Sequence, residues 1–179
     1  YQKNFHVENI GLYIEFQRRN CLTVASSGIA STLLPNGGTT HSKFSILVPT
    51  LQNSTCSMLQ STRLIIWDEA PITHKLCSEA LDKTLKDMMC RSPKETMPFG
   101  GKVVVFGGDF RQILPVIPRD SKSNIIHATI NASYMWDYCI ILKLTKNMRL
   151  HHNSKTPNVK EIIKFSKWLI VVADGKLGT

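Results

Sequence analysis

The run Leu64-Ile65-Ile66-Trp67-Asp68-Glu69-Ala70-Pro71 carries the clearest architectural signal in the chain. Four apolar residues lead straight into two adjacent carboxylates, and a proline closes the stretch. An uninterrupted apolar run of this length fits a strand buried on both faces, as in parallel sheets covered by helices. Such sheets keep their ligands at the C-terminal ends of the strands, so an acidic pair there is placed for chemistry. In a nucleotide hydrolase Asp68 would hold Mg²⁺ and Glu69 would orient or deprotonate the attacking water. The plainer alternative is a strand that ends in two solvated acids.

The same design returns at Lys102-Val-Val-Val-Phe106, which runs into Gly107-Gly108-Asp109-Phe110-Arg111-Gln112. Upstream, Cys21 to Ala25 is a short β-branched run that feeds Ser26-Ser27-Gly28. Downstream, Cys139 to Leu144 is a further β-branched run that leads to Lys146 and Arg149. Strands are therefore predicted near 21–25, 64–67, 103–106 and 140–144, separated by helix or loop segments of about 35 residues. That alternation predicts an α/β fold: a parallel sheet with helices on both faces.

Between the strands, Thr73 to Cys90 gives the strongest helical pattern. Leu76/Cys77, Ala80/Leu81, Thr84/Leu85 and Met88/Met89 recur every four residues, with Thr73 as N-cap. Asn124 to Tyr138 is predicted helical from Ile126, Ile130 and Tyr134. So is Asn158 to Ala173, which Asp174-Gly175 ends. Ile29 to Leu34 has room for one or two helical turns before Pro35-Asn36-Gly37-Gly38 breaks them. Residues 45–62 read as a loop with room for a short helix, and residues 1–20 are poorly patterned. In Thr39-Thr40-His41-Ser42-Lys43-Phe44, hydroxyls and a cation can meet phosphates. Phe44 can stack on a base or plug the core, and the core plug is the favoured expectation.

Composition narrows the partners. With 22 Lys+Arg against 13 Asp+Glu the formal charge is +9, which favours a polyanion, nucleic acid before a membrane surface. The five cysteines include no Cys-x-x-Cys pair, so neither a zinc ribbon nor a disulfide framework is indicated. No apolar run approaches the roughly 18–20 residues that span a bilayer. At 179 residues the expected organisation is one domain over 21–179, preceded by the segment 1–20.

Shared strand-end geometry would bring Ser26-Ser27-Gly28, Asp68-Glu69, Asp109 with Gln112, and Lys146 to Arg149 to one crevice. Metal-binding acid, water-activating acid, amide and guanidinium are the parts that phosphoryl transfer requires.

Five motifs follow one another in order: Val24-Ala-Ser-Ser-Gly-Ile-Ala30, Thr40-His41-Ser42-x-Phe44, Leu64 to Pro71, Gly107-Gly-Asp-Phe-Arg-Gln-Ile-Leu-Pro-Val116 and Leu144-x-x-Asn-Met-Arg149. The set resembles the Pif-type (petite integration frequency) DNA helicases of superfamily one, in the branch related to Helitron transposons. The late Phe165-Ser-Lys-Trp-Leu169 and Asp174-Gly-Lys-Leu177 are similar to that branch as well. The resemblance implies a RecA-like domain of an ATP-dependent helicase that unwinds DNA 5′ to 3′. It also implies work in recombination, repair and telomere maintenance, in the nucleus or mitochondrion. It gives ATP and Mg²⁺ as cofactors and single-stranded or duplex DNA as partner, with no membrane association and no stated oligomeric state. On matched positions, it makes Asp68 the Mg²⁺ residue, acting through water, and Glu69 the residue that activates the hydrolytic water. Gln112 reads the γ-phosphate, and Arg149 completes the nucleotide site. Ser27 and Gly28, with Thr40, His41, Ser42 and Phe44, fall in segments that line the single-strand track.

The family's Gly-Lys-Ser/Thr phosphate loop should lie one helix ahead of the strand at 21–25. Here the glycine ahead of Gly28 is Gly11, followed by Leu12-Tyr13. The stretch past Arg149 is also too short for a second RecA-like domain. The expectation is therefore a fragment of a longer helicase or, alternatively, a degenerate nucleic-acid-binding remnant of a transposon-derived one. Either predicts little ATP hydrolysis by the isolated chain.

Overall fold

The computed structural model describes residues 20–44, 53–89, 97–143 and 159–176. The chain divides into two compact units, with the boundary after Cys139.

In the first unit, four described strands form one parallel sheet: β1 (Cys21–Ala25), β2 (Gly38–Thr39), β3 (Leu64–Asp68) and β4 (Val103–Phe106). Their spatial order is β2-β1-β3-β4. Every pairing is parallel, with Ala25 opposite both Thr39 and Asp68, and Trp67 opposite Phe106. The strands at 21–25, 64–67 and 103–106 are thus present as expected, and their C-terminal ends share one edge. β2 is an addition. Two residues of a Gly-Gly-Thr-Thr turn pair with the end of β1, which glycine-rich local sequence gave no reason to expect.

Alternation along the strands sorts the core. Leu22 and Val24 of β1 join Ile65 and Trp67 of β3 on one face, where Leu59, Leu81, Leu85 and Phe99 complete the main cluster. The covering elements are α3 (Asn53–Ser61) and α4 (Lys75–Met88). The opposite face carries Leu64 and Ile66 beside Cys21, and Ala25 packed on Ala30 and Leu34. Those last two residues belong to α1 (Gly28–Thr32) and its exit. Helical cover on both faces therefore holds. Four rings cross the main face in a row, Phe44 to Trp67 at 5.5 Å, Trp67 to Phe106 at 5.7 Å and Phe106 to Phe99 at 5.9 Å.

Several expectations need correction. The helix after β3 begins at Lys75 with His74 as N-cap, its Nδ1 accepting from the Leu76 N–H at 3.1 Å. Thr73 instead donates its hydroxyl to the Ala70 carbonyl at 2.9 Å, closing a 3₁₀ turn over Ala70–Ile72. The single helix expected over 124–138 is three short pieces: α5 (Lys122–His127) and 3₁₀ turns at Ile130–Ala132 and Tyr134–Tyr138. Thr129 and Ser133 are extended between them, and the Ser133 hydroxyl accepts from Met135 N–H at 3.4 Å. Short hydroxyl side chains compete for backbone groups and divide a helix that apolar spacing alone would continue. Cys139 to Lys143 forms no strand. β-branched residues favour a strand only where a ladder partner exists, and this run has none among the described residues. Leu144 and Arg149 lie outside the described residues.

The loop expected at 45–62 contains α3, and Thr40–Phe44 forms a one-turn helix, α2. In the second unit α6 (Val159–Ala173) occupies the expected segment. Gly175, at φ 69°, donates to the Val172 carbonyl and ends it.

One buried carboxylate fastens the main face. Asp82 of α4 accepts from the Phe99 N–H at 2.5 Å, the Lys86 ammonium at 2.7 Å and the Tyr134 hydroxyl at 2.5 Å. A single side chain thus ties α4 to the turn before β4 and to the 134–138 segment. Burial pushes its pKa up, but the bonds from Lys86, Tyr134 and Phe99 outweigh burial and hold it below the ordinary carboxylate value. A folded-state pKa that is depressed adds stability above the unfolded value and loses it as pH falls through the folded one. Asp82→Asn is accordingly expected to cost about 1.5–3 kcal/mol at neutral pH. The deficit should begin to shrink as pH falls below about 4, the unfolded-state value, and close only below the lower folded-state pKa. Thermal melts at pH 7 and pH 3 check both halves.

Candidate functional site

The strand order places the site. From β1 the chain steps outward to β2, then crosses back to β3 and on to β4, so the direction of progress reverses between β1 and β3. A reversal of this kind leaves a crevice at the C-terminal ends of the two flanking strands. Those ends carry Ser26-Ser27-Gly28 and Asp68-Glu69.

Asp68 is buried, 8% exposed, and its Oδ1 accepts from the Glu69 N–H at 2.9 Å. Glu69 is half-buried and adopts the left-handed conformation, φ 56° and ψ 33°. For a non-glycine residue with a long side chain that conformation costs about 1–2 kcal/mol. Strain of this size persists only where surrounding contacts hold it, commonly at functional sites. Nothing in the local sequence signals it, because glutamate is not a residue that selects this region.

Gly107 and Gly108 carry the chain from β4 across the front of the acidic strand end. Gly107 N–H donates to the Trp67 carbonyl at 2.8 Å, and the Gly107 carbonyl accepts from Ala70 N–H at 3.0 Å. A Cβ at 107 would lie 3.2 Å from Asp68 Oδ1, and one at 108 would lie 2.2 Å from Pro71 Cδ. Two glycines are needed because the backbone passes within van der Waals reach of Asp68 and the proline ring. Gly108→Ala is expected to lower stability by about 1–3 kcal/mol, since the proline ring and the loop cannot both stay in place. A fall of several degrees in Tm tests this.

Past the glycines, the Asp109 carboxylate accepts from Arg111 N–H at 2.9 Å, and Gln112 N–H donates to the Asp109 carbonyl at 3.1 Å. Gln112 is exposed in this turn, past the end of β4. Phe110 anchors the turn edge-to-face on Trp136, at 5.9 Å.

At the neighbouring strand ends, Ser27 is the N-cap of α1, its Oγ accepting from Ala30 N–H at 3.1 Å. Gly28 is exposed, with nothing within 4 Å of an added Cβ. α2 splits its residues in two. His41 and Ser42 face solvent, whereas Thr40 is fully buried with its hydroxyl unpartnered and Phe44 packs on Trp67. The Phe44 ring therefore belongs to the core, the favoured of its two expectations, and is not available to stack on a base. Ser26, expected in the crevice but given no role of its own, bonds both Trp67 and Asp68. Its neighbour Ser27 offered the same hydroxyl, and only the strand register distinguishes them.

Among the described residues no three His, Cys, Asp or Glu side chains converge on a point that could hold a metal. Asp68, buried at the strand end, is the carboxylate there that could take part in holding a metal through water. Among the described residues no helix is long and apolar enough to cross a membrane. The described cysteines, Cys21, Cys56, Cys77 and Cys139, are free thiols. Burial raises the pKa of Cys21, Cys77 and Cys139 above the usual thiol value.

Comparison with known proteins agrees with this arrangement. The sequence profile of the PIF1-like helicases matches residues 2–179. The chain is 31% identical over 134 residues to the ATP-dependent DNA helicase Pif1 of Psychrobacter sp. (strain PRwf-1), covering 69% of this chain and 20% of that one. It is 29% identical over 125 residues to the ATP-dependent DNA helicase PIF4 of Trypanosoma brucei brucei (strain 927/4 GUTat10.1), covering 63% and 15%. The chain thus spans a fifth or less of the length of these curated relatives. Among solved structures, Bacteroides Pif1 with ADP-AlF3 and single-stranded DNA superposes with TM-score 0.69 at 21% identity, over 97% of this chain and 39% of that one. Candida albicans Pif1 gives 0.62 at 18% identity, over 84% and 36%. These likenesses establish the fold, a RecA-like helicase sheet. With the profile matched along nearly the whole sequence and the acidic strand end seated at the switch point of that sheet, the chain belongs to the PIF1-like helicase family.

Proposed function

We propose that the chain is part of an ATP-dependent DNA helicase that unwinds 5′ to 3′. It contributes the acids that hydrolyse ATP and part of the single-strand track. The observation that carries the proposal is the Asp68–Glu69 pair at the β1/β3 switch point, bonded to the loop that opens α1 and crossed by Gly107–Gly108. The similar relatives are named ATP-dependent DNA helicases, and similar structures hold single-stranded DNA or ADP-AlF3, which supports the reading.

In this reading Asp68 holds Mg²⁺ through water; the ion, when bound, neutralises phosphate charge. Glu69 orients the attacking water and takes its proton. Gln112 senses the γ-phosphate, and Arg149 stabilises charge that spreads onto it. Of the segments assigned to the DNA track, Gly28, His41 and Ser42 are exposed and would make direct contact. Ser27 would fix the opening of α1, and Thr40 and Phe44 would support the track from beneath. Roles in recombination, repair and telomere maintenance, in the nucleus or mitochondrion, and descent from the Helitron-related branch belong to the same proposal.

A second reading is a non-catalytic nucleic-acid-binding protein, which the excess of 22 Lys+Arg over 13 Asp+Glu would serve. Phosphate release measured with and without single-stranded DNA separates the two. DNA-stimulated turnover is expected if the chain hydrolyses ATP. Binding that weakens steeply with salt, by about 0.7 in log–log slope per phosphate contacted, without turnover, would establish the second reading.

A further inference from the structure

The loop that opens α1 and the acidic strand end meet at one side chain. Ser26 N–H donates to the Asp68 carbonyl at 3.0 Å, and its hydroxyl donates to the same oxygen at 3.4 Å. The same Oγ accepts the Trp67 indole N–H at 2.9 Å. Trp67 is wholly buried, so this hydroxyl serves a donor that water does not reach. Ser26 is followed directly by the N-cap Ser27 and by exposed Gly28 and Ile29. The carbonyl it holds belongs to the peptide that links the two acids.

We infer that Ser26 is a positioning residue that transmits displacement of the Ser27–Ala30 segment, on binding single-stranded DNA, to the Asp68–Glu69 peptide. The inference rests on the reading of that segment as part of the single-strand track. The buried indole holds the hydroxyl from behind, so movement of the loop is not absorbed by rotation of the serine side chain. It passes instead to the Asp68 carbonyl, and turning that peptide re-aims both carboxylates. Glu69 sits in a sparsely populated backbone region, where a small push shifts a conformational balance.

The test is an NMR titration of the 179-residue chain with oligothymidylate. It reads the Trp67 indole N–H and the Glu69 amide, while anisotropy of a labelled oligothymidylate measures binding independently. Both resonances are expected to shift along the binding curve in wild type and in Ser26→Thr, which keeps the hydroxyl. In Ser26→Ala the oligonucleotide still binds and the main-chain bond to Asp68 remains, but the buried indole no longer holds residue 26 from behind and the Glu69 shift falls severalfold. Trp67→Phe keeps a ring and removes the indole donor, breaking the link from the other side. It should reproduce the loss, and it stands in if Ser26→Ala does not fold. An undiminished Glu69 shift in a folded variant overturns the inference and leaves the single-strand reading intact. Absence of binding to the wild-type chain overturns both together.

Discussion

Glu69→Gln, made in the longer helicase of which this chain is proposed to be part, is expected to lower DNA-stimulated ATP hydrolysis by about 10²–10⁴-fold, the range for removing a positioned general base. The loss should appear in kcat with KM for ATP little changed, because in the proposed role the carboxylate acts on water in the transition state. The substitution is nearly isosteric, and glutamine meets the same cost as glutamate in the left-handed region that Glu69 occupies. Stability should therefore be close to wild type, so that a fall in rate reports chemistry. Steady-state phosphate release at saturating ATP and single-stranded DNA, with a thermal melt beside it, is the measurement. A rate that survives the substitution would remove Glu69 from the role of base.

Trp67→Ala should have the largest effect on folding. Trp67 is the largest fully buried side chain among the described residues, packs between Phe44 and Phe106, and gives its N–H to Ser26. Truncating such a residue costs about 3–5 kcal/mol in lost transfer energy and cavity formation. Against a total stability of about 5–15 kcal/mol, that is a large share. The expected fall in Tm is about 10 °C or more for a chain of this size. Near-wild-type melting would mean that neighbouring rings close the cavity, and the four-ring row would not then be a rigid support for the site.

The strands at 21–25 and 64–67 were legible because a buried parallel strand must be apolar along its length and must stop where polar groups begin; the run at 103–106 was legible from the same pattern, although Val103 and Val105 are exposed. That the strand ends share one edge was legible for the same reason, since parallel pairing puts all strand ends on one side. The broken helix over 122–138 was not. Ile126, Ile130 and Tyr134 keep a four-residue spacing, but Tyr134 is directed to Asp82, fifty-two residues away, rather than to a helix-wide core face. The run Cys139 to Leu144 has the composition of a strand, yet no described strand pairs with its described residues 139–143.

Local sequence thus carried the parallel sheet, its polar edge and the order of the motifs, because side-chain period and turn residues record which positions must be buried. It did not carry the left-handed Glu69, the close passage of Gly107–Gly108 or the choice of Ser26 over Ser27. Each of these depends on which residues meet across the sheet, as when the Trp67 indole reaches Ser26 across forty-one positions of sequence. Strand register and the packing of side chains against one another set those meetings, and a pattern read along one segment contains neither.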